Sequence, residues 1–124
     1  MFSETLLDHF QTPRNVGEMH DADAEAMDEN PVCGDRLHLW LRIRDGVIEE
    51  MCWRAEGCAP AIAAASVTSE VVRGMSLAEA SRIEQEAIAD ALGGLPPRKA
   101  HASLLATSAL RKAIAAYTGE SEMS

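Results

Sequence analysis

The sequence is short of three things that would fix its class at once. Cysteine occurs three times, at Cys33, Cys52 and Cys58, too few and too odd a number for a disulfide framework. In a reducing compartment such thiols bind metal, react, or pack as small hydrophobes. Long apolar runs are missing too. The longest, Ala59 to Ala65, is broken by Pro60 and falls far below the roughly 20 residues a membrane helix needs. Basic residues are the third shortage: eleven Lys and Arg face twenty Asp and Glu, for a formal charge of -9 and a pI near 4.8. A field of that sign repels phosphate backbones and anionic lipid heads, so neither nucleic acid nor a membrane is expected as a partner. Cations and basic partners suit it. The N-terminal Met-Phe-Ser-Glu-Thr has no basic region leading into an apolar one, so the expected location is cytoplasmic.

What is present has the balance of a globular protein, 47% hydrophobic and 25% charged, over a length that suits one domain, residues 1–124. Residues 3–11 predict a helix with Ser3 as N-cap and Leu6, Leu7 and Phe10 on one face, stopped by Pro13. Residues 14–30 read as an acidic loop, with a weak edge strand over Glu25 to Glu29. From Leu37 to Ile43 the pattern alternates, with Leu37, Leu39, Leu41 and Ile43 on one face and His38, Trp40 and Arg42 on the other. A second strand, Val47 to Ala55, carries Val47, Met51, Trp53 and Ala55 on one side. A three-residue loop with Gly46 in a bulge sets Leu39 beside Met51 and Leu37 beside Trp53, and turns Cys52 toward the side of His38 and Trp40.

Helices fill the remainder. Pro60 suits the first turn of one that runs to Gly74; Ser76-Leu77-Ala78-Glu79 is a capping box; Glu84 to Leu92 ends at Gly93-Gly94. Leu95-Pro96-Pro97 should be extended, and a last helix should run from Ala102 to Tyr117, closed by Gly119. Strands first and helices afterwards predict an α+β domain, a small antiparallel β-sheet packed against several α-helices.

Four chemical groups sit where the chain changes direction: Cys33 and Asp35 entering the first clear strand, Cys58 between the second strand and a helix, and His101 opening the last helix. If both helices start at the same end of the sheet, the four converge. Two thiolates, an imidazole and a carboxylate suit zinc or ferrous iron. Gly34 and Gly57 leave room for a ligand beside the backbone, and the helix dipole should lower the pKa of Cys58. Cys52, in mid-strand, reads as structural, and His9, His20 and His38 join no constellation. A thiol enzyme with Cys58 as nucleophile and His101 as base fits the same residues, but no substrate pocket or oxyanion hole can be named for it.

Leu7-Asp8-His9-Phe10-Gln11-Thr12-Pro13-Arg14-Asn15-Val16-Gly17, Cys33-Gly34-Asp35, Gly57-Cys58 followed by Ala61-Ile62-Ala63 and Ser66, and Leu95-Pro96-Pro97-Arg98-Lys99-Ala100-His101 resemble, in order and spacing, the U-type iron-sulfur cluster scaffolds. That family includes IscU, SufU and the N-terminal domain of NifU, and the likeness runs from about Leu6 to Tyr117. It implies a SufE/NifU-like α+β fold without turnover of its own. Such a protein takes sulfur from a cysteine desulfurase, builds a 2Fe-2S cluster on iron and passes it to apo iron-sulfur proteins; the same pocket often holds zinc. The resemblance carries the ligand roles to Cys33, Asp35, Cys58 and His101. Where the family reads His-Cys-Ser, this chain reads His101-Ala102-Ser103, so the third cysteine, a principal acceptor of persulfide sulfur, is absent. Its loss raises a second reading, a zinc-bound accessory or regulatory homologue that no longer assembles clusters. Leu95 to Lys99 resembles a site for an Hsp70-type chaperone, with Arg98 where the IscU branch has valine. The stretch before Cys33, Ala24 to Asn30, is bulkier and more acidic than the family's glycine-rich one.

Overall fold

The computed structural model describes residues 2–31 and 33–119. Its elements follow in the order α1 (Glu4–Gln11), β1 (Ala24–Asn30), β2 (Asp35–Arg44), β3 (Val47–Glu56), α2 (Ala59–Val71), α3 (Leu77–Ser81), α4 (Gln85–Ala91) and α5 (His101–Thr118), with one 3-10 turn at Pro97–Lys99. The strands pair antiparallel in the order β1-β2-β3. Helices α5 and α2 cover one face of the sheet, α5 on β1 and β2 and α2 on β3, while α1 packs on α2. The α+β class is as expected. The acidic stretch before Cys33 does form an edge strand, over Ala24–Asn30.

Alternation decides which face of β2 is buried. Leu37, Leu39, Leu41 and Ile43 are all at most 7% exposed and meet Ile48, Met51 and Trp53 of β3 in the core. Burying a side chain of this size stabilises by about 1.5–3 kcal/mol, so each of these positions contributes substantially to the fold. The hairpin differs from the expected three-residue loop. Arg44 pairs with Val47 across a two-residue Asp45-Gly46 turn, both residues at positive φ (53° and 75°), the geometry that matches strand twist. The extra residue comes later: Ile43 pairs with Ile48, but Arg42 pairs with Glu50, so Glu49 is bulged out. The bulge lets Ile48 and Met51, three apart, both face inward, and it sets Leu39 opposite Trp53 and Leu37 opposite Ala55. Ile48 therefore takes the core position expected of Val47, which is half-buried.

On the open face Trp40 stacks on His38 with ring centroids 3.9 Å apart. Cys52 pairs with Trp40 on this face, as its parity requires. In α1 the Ser3 hydroxyl accepts the Leu6 N–H as predicted, but the buried residues are Leu6 and His9; Leu7 and Phe10 are exposed. His9 goes inside because Ser66 of α2 offers its ring a hydrogen bond at 2.7 Å. The chain after α1 then lies along β3. Arg14 donates its N–H to Ser66 Oγ, Trp53 donates its indole N–H to the Arg14 carbonyl at 2.7 Å, and Val16 bridges Trp53 in parallel. The capping box at Ser76 and Glu79 forms in full. Pro96 is extended as expected, but Pro97 already opens the 3-10 turn that leads into α5.

Candidate metal centre

Each candidate ligand is delivered by the boundary of an element. Asp35 begins β2 and has the parity of Leu37 and Leu39, so its carboxylate is carried inward at the end of the sheet and is only 2% exposed. Cys33 lies on the exposed turn before it, where Gly34 at φ 77° donates its N–H to the Asn30 carbonyl at 2.7 Å. Because β3 runs antiparallel to β2, its last residues lie beside the start of β2, and the chain continues through Gly57 to Cys58, the N-cap residue of α2. His101 is the first residue of α5, which packs on α2.

Cys33 Sγ, a carboxylate oxygen of Asp35 and a ring nitrogen of His101 all lie within 4.8 Å of one another. Cys58 reaches this trio through the carboxylate: its thiol donates to Asp35 Oδ2 at 3.6 Å and its backbone N–H to Oδ1 at 3.1 Å. Asp35 is thus the hub on which the other groups converge. His101 Nε2 approaches Oδ2 at 3.3 Å but is buried without a hydrogen bond. An orphaned buried nitrogen is costly, and a metal ion is a group that would satisfy it. Two sulfurs, one oxygen and one nitrogen form a donor set that fits iron or zinc.

Two local expectations are corrected. The start of α2 does not lower the Cys58 pKa; burial pushes the thiol up, and the Asp35 carboxylate adds to it, against the opposing pull of the Ala61 N–H and Lys99. Nor does Gly57 leave open room for a ligand, because the Asp35 side chain itself fills the space where a Cβ would stand. Gly34, by contrast, faces open space.

The family model for the NifU-like N terminal domain matches residues 1–124. IscU 1 of Archaeoglobus fulgidus, an iron-sulfur cluster assembly scaffold protein, is 46% identical over 117 residues, 94% of this chain and 76% of that one. The scaffold protein IscU of Escherichia coli K12 is 41% identical over 98% of this chain and 97% of its own. The chain belongs to the NifU-like N-terminal domain family. Among solved structures, the N-terminal NifU-like protein of Brucella abortus superposes with a TM-score of 0.76, covering 96% of this chain and 95% of that one. A SufU-type scaffold from Fervidobacterium islandicum also gives 0.76, over 91% and 96%. Each of these two is 20% identical and speaks for the fold alone.

In this NifU-like domain the residue after His101 is Ala102, 1% exposed and packed in the core, so a methyl group stands where the family resemblance leads one to look for a thiol. Cys52 offers no substitute. It lies on the open face of the sheet, the face opposite to Asp35, with its Sγ 4.0 Å from Glu50. His38 is engaged by Glu25 at 2.6 Å on that same face. Sequence reasoning missed the Gly57–Asp35 contact. The signal was there in the inward parity of Asp35, but it required knowing that β3 ends beside that residue.

Proposed function

We propose that this chain is an iron-sulfur cluster assembly scaffold that holds iron and a 2Fe-2S cluster on Cys33, Cys58, Asp35 and His101 and releases it to acceptor proteins. The observation that carries the reading is the convergence of Cys33, Asp35 and His101 within 4.8 Å, beside Cys58, in a chain of this family. The cluster is cargo here. Imidazole or carboxylate can take the place of thiolate on an iron, so two cysteines, Asp35 and His101 make four ligands without Ala102 contributing one. Exposed Cys33 is the donor that incoming iron or sulfur meets first, and buried Asp35 and half-buried Cys58 form the closed side. A thiol that binds metal gives up its proton, so loading of Cys58 releases one.

The expected sulfur supplier is a cysteine desulfurase, and the expected recipients are apo iron-sulfur proteins. The segment Leu95 to Lys99 is the proposed contact for an Hsp70-type chaperone. Its exposed Pro97 and Arg98 on the 3-10 turn just ahead of His101 support that reading. The proposed location is cytoplasmic; no helix among the described residues is long and apolar enough to cross a membrane.

Ala102 favours a second reading, a zinc-bound accessory homologue, because a buried methyl cannot accept sulfur. One experiment separates the two. Protein purified without oxygen is analysed for zinc, iron and acid-labile sulfide before and after reconstitution with ferrous iron, cysteine and a desulfurase, with Cys58→Ala in parallel. The scaffold reading predicts a sulfide-containing chromophore that the variant lacks. Zinc alone under both conditions supports the accessory reading.

A further inference from the structure

We infer that Gly57 is a positioning residue of the metal centre: its missing side chain provides the space in which the Asp35 carboxylate is held between Cys58 and His101. The inference rests on the ligand reading given above and adds to it a residue that contributes no ligand atom. A Cβ at Gly57 would stand 2.8 Å from Asp35 Cγ and 3.1 Å from its Cβ, and closer still to Oδ1. Real Cβ atoms essentially never come within 3.0 Å of such a neighbour, so the Asp35 carboxyl group would have to move.

Asp35 is the opening residue of β2, paired with Asn30 of β1, and the residue is only 2% exposed, so its side chain can swing away from Gly57 only by giving up that burial. Gly57 follows directly on Glu56, which pairs with Arg36, so its backbone is held beside β2 by the ladder. The same carboxylate accepts the Cys58 N–H and the Cys58 thiol and lies 3.3 Å from His101 Nε2. Expelling it therefore removes one donor and unties the backbone that aims a second. Gly57 also sits at φ 155°, where a side chain is disfavoured in any case. That second effect is a backbone cost independent of Asp35, and a test has to separate the two.

The test is a mutant cycle on the metal-stripped chain: wild type, Gly57→Ala, Asp35→Ala and the double variant. Zinc affinity is measured by competition with a chromophoric chelator. Cobalt(II) spectra report thiolate ligation, and circular dichroism checks the fold. Supporting groups around a metal typically govern 10–100-fold of its affinity, so Gly57→Ala should weaken zinc binding by about that factor and diminish the cobalt-thiolate bands. In the Asp35→Ala background, where the space is vacated, Gly57→Ala should cost less than about twofold more, although its φ strain is unchanged. If Gly57→Ala fails to fold while the double variant folds, the clash with Asp35 is equally demonstrated. A loss of affinity that persists in the Asp35→Ala background, or two variants that both fail to fold, would assign Gly57 a backbone role and overturn the inference. A wild-type chain that binds zinc and cobalt, with Gly57→Ala unchanged, overturns it alone. A wild-type chain that binds neither metal removes the ligand reading on which it stands.

Discussion

Replacing Ser66 by alanine should destabilise the protein far more than the loss of one hydroxyl suggests. Ser66 is fully buried in α2, and its Oγ accepts the Arg14 N–H at 2.9 Å while also meeting His9 Nδ1 at 2.7 Å. His9 is itself 5% exposed, and burial first, then the Arg14 charge, hold its pKa below the ordinary value, which favours the neutral ring that shares the Ser66 hydrogen bond. Alanine leaves both a backbone donor and a ring nitrogen without this partner. Each orphaned group costs about 1–3 kcal/mol; with the Arg14 site only partly buried, the sum comes to about 2–4 kcal/mol. For a domain of this length that corresponds to a fall in Tm of about 10 °C. Urea unfolding followed by tryptophan fluorescence is a direct assay, because Trp53 is clasped by the same segment through its indole N–H and the Arg14 carbonyl. Ser81→Ala, which removes only an exposed bond to the Ala78 carbonyl, serves as control and should stay within about 0.5 kcal/mol of wild type. A Ser66→Ala chain no less stable than that control would refute the view that residues 14–17 are anchored to the core through Ser66.

Asp28 links β1 to α5: it accepts from the Ser108 hydroxyl and from Lys112 at 3.1 Å. Burial works against its charge, but the bonds from Ser108, Lys112 and the Glu29 N–H prevail and hold its pKa below the ordinary value. A depressed folded pKa gives stability that is present above about pH 4, the unfolded value, and is lost as pH falls through the folded one. Asp28→Asn should therefore be less stable than wild type at pH 7, with the gap in urea midpoint narrowing as pH falls below about 4; a gap of constant size would contradict the assignment. Ala102→Cys puts a thiol next to His101, and desulfurase-dependent sulfide incorporation should then rise above that of the wild-type chain. Unchanged incorporation would show that this position does not limit sulfur uptake.

Much of this could be read from the residues because local and tertiary signals agree. The alternation of β2, the Ser76 capping box, the Pro60 start of α2 and the parity of Cys52 each follow from a periodicity or a backbone rule that the core then reinforces. The candidate ligands were legible for a related reason: each lies at an element boundary, and antiparallel pairing brings those boundaries together. What stayed hidden depends on contacts between distant segments. The bulge at Glu49 is set by the need to bury both Ile48 and Met51, which short-range turn chemistry does not encode. From its neighbours alone His9 could be solvated or packed, and only Ser66, 57 positions on, decides it by providing a buried partner. Likewise the dipole at the start of α2 favours the Cys58 thiolate, but burial and the adjacent Asp35 carboxylate raise its pKa, and neither is visible without the fold.

The central claim, that this chain builds a cluster at these four residues and then gives it up, is tested most directly by transfer. Reconstituted protein freed of loose iron and sulfide is mixed with an apo two-iron ferredoxin in the presence of an iron chelator, and the ferredoxin's own circular dichroism is followed in time. Handover of an intact cluster requires the ferredoxin signal to grow while the scaffold chromophore decays, and Cys33→Ala, prepared identically, should deliver none. Iron captured by the chelator with no ferredoxin signal, or delivery undiminished in Cys33→Ala, would contradict it.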